Sequence, residues 1–357
     1  MPNSSDRLTL VAGGAGFIGS HLCRALLDAG ERVVCLDNLQ TARRSNLAAL
    51  RKHDGFEFVQ ADITAPLPSA IASRTRAFAR IYNLACAASP PQYQADPEHT
   101  MLTSVVGTDQ LLRLAEASGA RFLLTSTSEV YGDPEAHPQT EDYRGNVSCT
   151  GPRACYDEGK RAAEALTFDF ARTGRADVRV ARIFNTYGPH MDPADGRVVS
   201  NVICQLLSGE PITIYGDGSQ TRSFCYVADT VDGLRRLMEA QLAVEEPVNI
   251  GNPRELTVRE LVDLVLAAAG QTAEVRFRPL PQDDPRRRKP DIARARAVLD
   301  WEPRTTLEDG LRATLEWFAR ELGDGKGAVE PLCVAMPAIA KTRALNGAHR
   351  AGHTALG

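Results

Sequence analysis

The sequence predicts an α/β protein: a doubly wound parallel sheet of the Rossmann type with a smaller C-terminal lobe. Three observations predict it. Short β-rich apolar runs alternate with helix-like stretches through the first 185 residues, the pattern that builds a parallel sheet covered by helices on both faces. A glycine cluster follows the first of these runs directly and opens the first helix. After Asn185 the alternation gives way to loops rich in Gly, Pro and Asp mixed with shorter helices.

Taken in order, Leu8–Ala12, Arg32–Leu36, Phe56–Gln60, Arg80–Leu84, Arg121–Ser126 and Val178–Ile183 read as buried strands. Between them, Ser20–Ala29, Thr103–Ala117 and Gly159–Arg172 read as helices. In the second lobe, Pro211–Tyr215 and Pro247–Ile250 read as strands, and Arg259–Ala269 and Leu307–Leu322 as helices. The expected division is a nucleotide-binding domain over residues 6–184 and a lobe over 185–322, interleaved with the first. Residues 323–357 have few aromatics and no clear amphipathic period, and are expected to form a flexible tail; a docked helix near Val334–Leu345 is the alternative.

Composition excludes several classes. The chain has 357 residues, with 41 Lys and Arg against 45 Asp and Glu, for a net charge of −4. That balance offers no general attraction to polyanions, which argues against a dedicated nucleic-acid binder. No apolar run approaches the roughly 20 residues needed to cross a bilayer. The N-terminal stretch lacks a basic region followed by a long apolar segment, so a cytoplasmic protein is expected. The eight cysteines show no CxxC spacing and the seven histidines no HExxH, so reduced thiols and no metal are expected.

The strongest local signal is LTLVAGGAGFIGSHLCRALLDAG. Gly13 permits a tight turn after the strand, Gly16 lets backbone N–H groups approach a pyrophosphate, and Gly19 allows the helix to pack closely on the strand. The helix N-terminus, with Phe17 and Ile18 in its first turn, presents a positive dipole end to phosphates. The three-residue spacing between the first two glycines points to the short-chain dehydrogenase/reductase variant of the fingerprint. Asp37 closes the second strand, where a carboxylate accepts from ribose hydroxyls and repels a 2′-phosphate, which favours NAD over NADP. Arg43 and Arg44 argue the reverse unless they lie on a solvated loop. Asn38, beside Asp37, and Leu84, ending the fourth strand, are assigned to the same site.

Tyr156 and Lys160 stand four apart on one helix face in CYDEGKRAAEAL. An ammonium near a phenol stabilises the phenolate and lowers its pKa, which makes Tyr156 a usable base near neutral pH. With Thr127 at the end of the fifth strand, these residues complete the triad of the short-chain dehydrogenases.

On these and longer stretches the sequence resembles the UDP-glucuronate decarboxylases, also called UDP-xylose synthases, within the extended short-chain dehydrogenases. The likeness runs from about Leu8 to Leu322 and is carried by TSTSEVYGDPEAHPQTE, GPRACYDEGKRAAE, RIFNTYGPHMDPADGRVVSN, IYGDGSQTRSFCYVAD and QDDPRRRKPDI. Related dehydratases usually follow the catalytic-strand Thr with Asp-Glu, and simple 4-epimerases have no Glu there. This chain has Ser128-Glu129, which looks like the decarboxylase version. A 4,6-dehydratase or 4-epimerase is the runner-up, and a non-catalytic NAD-responsive regulator is the alternative from another class.

The resemblance implies oxidation of the sugar at C4 with Tyr156 as base, loss of CO₂ from the β-keto acid, and return of the hydride, so NAD acts catalytically. It implies that Ser128 and Glu129 flank the reacting carboxylate and C5. Arg288 would reach the same end, to neutralise the carboxylate or stabilise an enolate; charge alone reads Asp284–Asp291 as a solvated loop. Asp62, with Ile63 beside it, would lie near adenine, whereas without the resemblance Asp62 reads equally as a helix cap. Tyr93 would contact the sugar. Asn185, Arg197, Val199, Tyr215 and Arg222 would hold the UDP end, where arginines suit a pyrophosphate. UDP-glucuronate and UDP-xylose are the implied ligands and a homodimer the implied assembly. Cys86 departs from the small residue expected near the cofactor.

Overall fold

The computed structural model describes residues 7–241, 246–280 and 287–323. The first strands and helices are β1 (Leu8–Ala12), α1 (Phe17–Asp28), β2 (Arg32–Asp37), β3 (Phe56–Gln60), the short α2 (Ser69–Ala72) and β4 (Phe78–Asn83). Then come α3 (Pro90–Ala95), α4 (Pro97–Leu102), α5 (Thr108–Ser118), β5 (Arg121–Thr127), α6 (Ala154–Arg172) and β6 (Val178–Ile183). The second half contributes β7 (Thr186–Tyr187), α7 (Val198–Leu207), β8 (Ile212–Tyr215), β9 (Thr221–Ser223), β10 (Cys225–Tyr226), α8 (Val227–Glu239) and β11 (Val248–Ile250). It ends with β12 (Glu255–Thr257), α9 (Val258–Ala269), β13 (Val275–Arg278), β14 (Arg287–Arg288), α10 (Ala293–Leu299) and α11 (Leu307–Gly323).

Seven strands form one parallel sheet in the order β11-β6-β5-β4-β1-β2-β3. The order reverses at β1, and the crevice at the carboxyl ends of β1 and β4 is where such sheets bind ligands. Every residue of β1 is buried, as a central parallel strand requires. One face is filled by α1 and α8, with Leu22, Leu26, Leu234 and Leu237 in a single cluster. On the other face, α5 and α6 contribute Leu111, Leu112, Ala163 and Phe170. The seventh strand, β11, comes from the second half of the chain, so the lobe and the sheet interleave. The lobe has its own core, with Val202, Ile203, Leu261 and Phe318 among its buried residues.

The expected elements recur with shifted ends. Helix α9 begins one residue earlier than expected because Thr257 and Glu260 form a reciprocal capping box. The helix expected over Thr103–Ala117 is a wide π turn over Thr103–Gly107 followed by α5. The irregularity sits where Gly107 meets Ile63: a Cβ on Gly107 would lie 2.4 Å from the Ile63 Cδ1. Gly323 closes α11, and the expected tail beyond it lies outside the described residues, as does Cys333. The seven described cysteines are free.

Helix α6 is fastened to the sheet by a buried polar junction. Glu164 accepts from Ser126 Oγ on β5 at 2.5 Å and takes a two-pronged pair from Arg182 on β6, at 3.0 and 2.7 Å. Arg182 also donates to Tyr131 Oη and the Glu141 carbonyl. Truncating Glu164 strands a buried guanidinium, which typically costs about 3–5 kcal/mol. Glu164→Ala is therefore expected to lower the unfolding free energy by that amount in denaturant titration; a loss under ~1 kcal/mol would show that the junction does not anchor the helix.

Candidate active site

The glycine turn closes around backbone, and backbone is what makes it specific. Gly13 has φ +76°, and a Cβ there would sit 2.6 Å from the Leu84 carbonyl carbon; on Gly19 it would sit 2.1 Å from the Gly13 oxygen. Any side chain at these positions would push β4 or α1 away. Gly16 precedes α1 without a side-chain cap, so the N–H groups of the first turn, Phe17 and Ile18 included, remain free to meet an anion.

A crevice opens beside this turn, lined by Gly13, Gly16, Asp37, Asn38, Asp62, Ile63 and Leu84. Asp37 accepts from the backbone N–H of Ala15 at 3.0 Å and of Leu39 at 2.8 Å. Burial pushes its carboxyl up from the ordinary range, and these backbone bonds offset part of the rise. The Gly16 N–H adds a third backbone bond, so of the roughly four acceptor positions of an ionised carboxylate about one remains for a hydroxyl donor. Asp62 accepts from Asn38 Nδ2 at 2.8 Å, from Thr64 Oγ1 and backbone N–H, and lies 2.7 Å from His99 Nε2. Burial raises its carboxyl, but those bonds outweigh burial and hold it well below the usual range. The crevice also includes Cys86, which departs from the small residue expected near the cofactor, and Gln40, Thr41, His99 and Thr103, which sequence reasoning did not assign to it; no motif marks them.

Arg43 is not on a solvated loop. It pairs with Glu321 of α11 and lies over the Trp317 ring, 5.7 Å from the centroid. Its charge is committed there, while Arg44 is exposed.

The second cluster forms where β5 ends and α6 begins. Thr127 accepts from the Glu129 backbone N–H at 3.2 Å, starting a short turn that carries Ser128 and Glu129. Tyr156 and Lys160 lie on the inner face of α6, 6 % and 4 % exposed. Lys160 Nζ donates to the Thr125 carbonyl at 3.0 Å and lies 6.0 Å from the Tyr156 ring centroid. The expected depression of the Tyr156 pKa is not what this arrangement produces. Burial, joined by the adjacent Cys86, pushes the phenol upward, and the Thr127 hydrogen bond opposes that only in part. Burial likewise pulls the Lys160 ammonium downward.

Tyr93 stacks on Tyr156 with ring centroids 5.1 Å apart and planes 4° from parallel. Its buried hydroxyl has no hydrogen-bond partner among the described residues, a state that a ligand would relieve. Arg288 and Glu129 form a bidentate pair, Nη1–Oε1 and Nη2–Oε2 both 2.8 Å. Arg153, which precedes α6, adds a bond from Nη2 to Glu129 Oε2 at 2.7 Å. Burial acts to raise the Glu129 carboxyl, but Arg288 and then Arg153 override it and hold it down at about 2. Sequence reasoning missed Arg153 and Asp157. Both stand in the stretch GPRACYDEGK, where the spacing of Tyr156 and Lys160 drew the attention.

The remaining assignments lie in the lobe. Arg222 is 7 % exposed on β9 and is the register partner of Arg288 across the parallel pair with β14. Arg197 pairs with Asp195 and faces the Tyr156 phenol closely enough to feel its charge. Val199 is buried in the lobe core, so its backbone N–H in the first turn of α7 is the part left to meet a ligand. The Asn185 carbonyl accepts from Cys225 N–H at 2.8 Å. Tyr215 ends β8 at 42 % exposure.

Fold and site together define a class. The NAD dependent epimerase/dehydratase family model matches residues 9–251, and the chain belongs to that family. Within it, the sequence is 49% identical over 313 residues to UDP-glucuronic acid decarboxylase 1 of Danio rerio, covering 88% of this chain and 73% of that protein. It is 50% identical over 320 residues to UDP-glucuronic acid decarboxylase 6 of Arabidopsis thaliana, covering 89% and 91%. Among solved structures, it is similar to UDP-glucuronic acid 4-epimerase from Bacillus cereus in complex with UDP-glucuronic acid and NAD. That match has a TM-score of 0.79 and 27% identity, over 88% of this chain and 99% of that one. A dTDP-glucose 4,6-dehydratase from Streptomyces venezuelae matches with a TM-score of 0.81 and 29% identity, over 89% and 99%.

Asp157 generates a prediction of its own. It is 6 % exposed, and one of its buried oxygens, Oδ1, has no hydrogen-bond partner among the described residues. Burial first and Glu129 second push its carboxyl up to about 7, with Arg153 and Arg288 opposing. A raised acid contributes stability that is complete below its unfolded pKa and is lost as pH rises through its folded value. Asp157→Asn carries no such loss. Its stability relative to the parent is expected to be greater at pH 8 than at pH 4 by ~1–3 kcal/mol, read by thermal unfolding at both. A difference that does not change with pH would show that Asp157 does not titrate in this window.

Proposed function

We propose that the protein is an NAD-dependent decarboxylase that converts UDP-glucuronate to UDP-xylose. The observation that carries the reading is the Glu129–Arg288 pair beside Tyr156, a charged centre suited to an anionic sugar, in a chain half identical to UDP-glucuronic acid decarboxylases. A second reading, epimerisation or dehydration at the same carbon, is favoured by the solved structures of 4-epimerase and 4,6-dehydratase type.

The glycine turn, the uncapped start of α1 and Asp37 fit a dinucleotide. On this reading Gly13, Gly16, Phe17, Ile18 and Gly19 meet the pyrophosphate or allow its approach, and Asp37 accepts from the ribose. Asn38, Asp62, Ile63 and Leu84 wall the remaining crevice. Commitment of Arg43 to Glu321 and Trp317 takes one of the two loop arginines away from a 2′-phosphate, and Asp37 would repel such a group, which supports NAD. When bound, NAD supplies a reversible hydride acceptor at the sugar C4.

The chain's own groups supply the rest. Tyr156 takes the proton of the 4-hydroxyl, Thr127 hydrogen-bonds the phenol, and Lys160 places a positive charge beside it. Because burial disfavours the phenolate, proton removal depends on positive charge arriving near the ring with the ligands. Once C4 is a ketone, the carboxylate is β to a carbonyl, and loss of CO₂ leaves an enolate that the ketone oxygen stabilises. Arg288 neutralises the carboxylate and then the enolate. Ser128 and Glu129 order the water or proton that reaches C5. Tyr93 packs on the sugar, while Asn185, Arg197, Val199, Tyr215 and Arg222 hold the UDP end.

In this scheme residues 6–184 serve the cofactor and residues 185–322 mainly the sugar nucleotide. A homodimer is part of the proposal: Leu102 and Val106, 40 % and 38 % exposed, stand on the helical stretch packed beside α6 and would be covered by a second copy. No described helix is long and apolar enough to cross a membrane, and we place the protein in the cytoplasm.

Incubation with UDP-glucuronate and NAD⁺ is expected to yield a UDP-pentose lighter by one CO₂, read by mass spectrometry. A product of unchanged mass would establish epimerisation instead. Tyr156→Phe is expected to lower turnover by about 10²–10⁴-fold while NAD binding, followed by fluorescence titration, stays within a few-fold; turnover close to that of the parent would remove Tyr156 from the role of base.

A further inference from the structure

Glu129 is held by two guanidiniums from different parts of the chain, and the two cannot serve the same purpose. Arg288 lies on β14 in the lobe and grips both carboxylate oxygens. Arg153 lies at the start of α6, three residues before Tyr156, and donates to Oε2. The three side chains are 8 %, 11 % and 13 % exposed for Arg288, Arg153 and Glu129. In this state the Arg288 fork is fully occupied by Glu129, although the proposed chemistry needs it for the substrate carboxylate.

Release of Arg288 from a lone partner would leave a buried carboxylate unpaired, which is strongly unfavourable. Arg153 removes that obstacle. Its bond to Oε2 survives when the bonds from Arg288 are given up, so Glu129 stays ionised, paired and in position at the end of β5. Among the described residues, Asp157, Tyr93 and Tyr156 also interact electrostatically with Glu129.

We propose that Arg153 is a positioning residue that retains Glu129, so that Arg288 can leave it and pair with the carboxylate of the sugar nucleotide. The inference rests on the proposed substrate. It makes recognition of the carboxylate depend on a residue that need not touch it, and leaves binding of the UDP moiety independent of Arg153.

The test uses full-length protein carrying Tyr156→Phe, so that ligands bind without turnover, and compares calorimetric affinities for UDP-glucuronate and UDP-glucose with NAD⁺ present. Arg153→Gln is expected to lower the preference for UDP-glucuronate about tenfold, with UDP-glucose affinity within twofold of the parent. Arg153→Lys is expected to restore most of the preference. Adding Glu129→Gln to Arg153→Gln is expected to restore it as well, because Arg288 then leaves a neutral amide. Equal weakening of both ligands, an unchanged preference, or failure of the double variant to recover it would each overturn the proposal. In the Tyr156 protein, absence of CO₂ release from UDP-glucuronate would defeat the decarboxylase reading on its own, through a different measurement.

Discussion

The bidentate pair between Glu129 and Arg288 is the contact on which the rest of the site depends. The two residues are 159 positions apart, one at the end of a central sheet strand and the other on a short strand of the lobe. Neither side chain is stable alone at such burial. Their pairing draws β14 over the carboxyl end of β5, and the β14–β9 register then sets Arg222 beside Arg288. Backbone bonds from Gln139 to Lys289 and from Asp291 to Gln139 close the same seam. At this seam the lobe meets the sheet through polar contacts whose geometry is specific, beside the apolar packing of α8 and α10 on the sheet.

Burial is answered differently at the two ends of the site. At Asp62 backbone and side-chain donors outweigh it, and at Asp37 backbone donors offset part of it. Around Tyr156 and Lys160 few such donors are present, and the phenol rises while the ammonium falls. The phenol is thus kept protonated in the free protein. Packing of Tyr93 flat on Tyr156 fixes the ring plane, so the phenol oxygen needs no reorientation when a sugar enters.

Much of this was legible in the sequence because period and punctuation carry it. The strands β1 and β6 fall on the residues that read as apolar runs, since parallel strands inside the sheet are covered on both faces; the edge strand β3 is legible from its apolar Phe56, Phe58 and Val59 although it is only half-buried. The glycine turn is legible for a related reason: at Gly13 and Gly19 a methyl group has nowhere to go. What escaped notice is not periodic. The π turn at Thr103–Gly107 arises from a contact with Ile63 that is 44 positions away in the chain, and no local pattern encodes it. Arg43 read as a solvated charge because Trp317 and Glu321 are brought to it only by the fold. The pKa of Tyr156 was misjudged because a Lys four residues on was weighed without the burial of both groups.

Arg153 shows the same limit from the functional side. Its neighbours Tyr156 and Lys160 announce themselves by spacing, whereas an arginine at a helix start is unremarkable until its partner is known. That partner, Glu129, is also the residue separating this sequence from the simple epimerase pattern, which has no Glu there. A glutamate in that position brings a buried negative charge close to where an anionic sugar must bind, and by itself it would repel that sugar. A second guanidinium lets such a glutamate stay paired while the first turns to the ligand. The extra carboxylate and the extra arginine are therefore parts of one device, and the chemistry that needs the first explains the presence of the second.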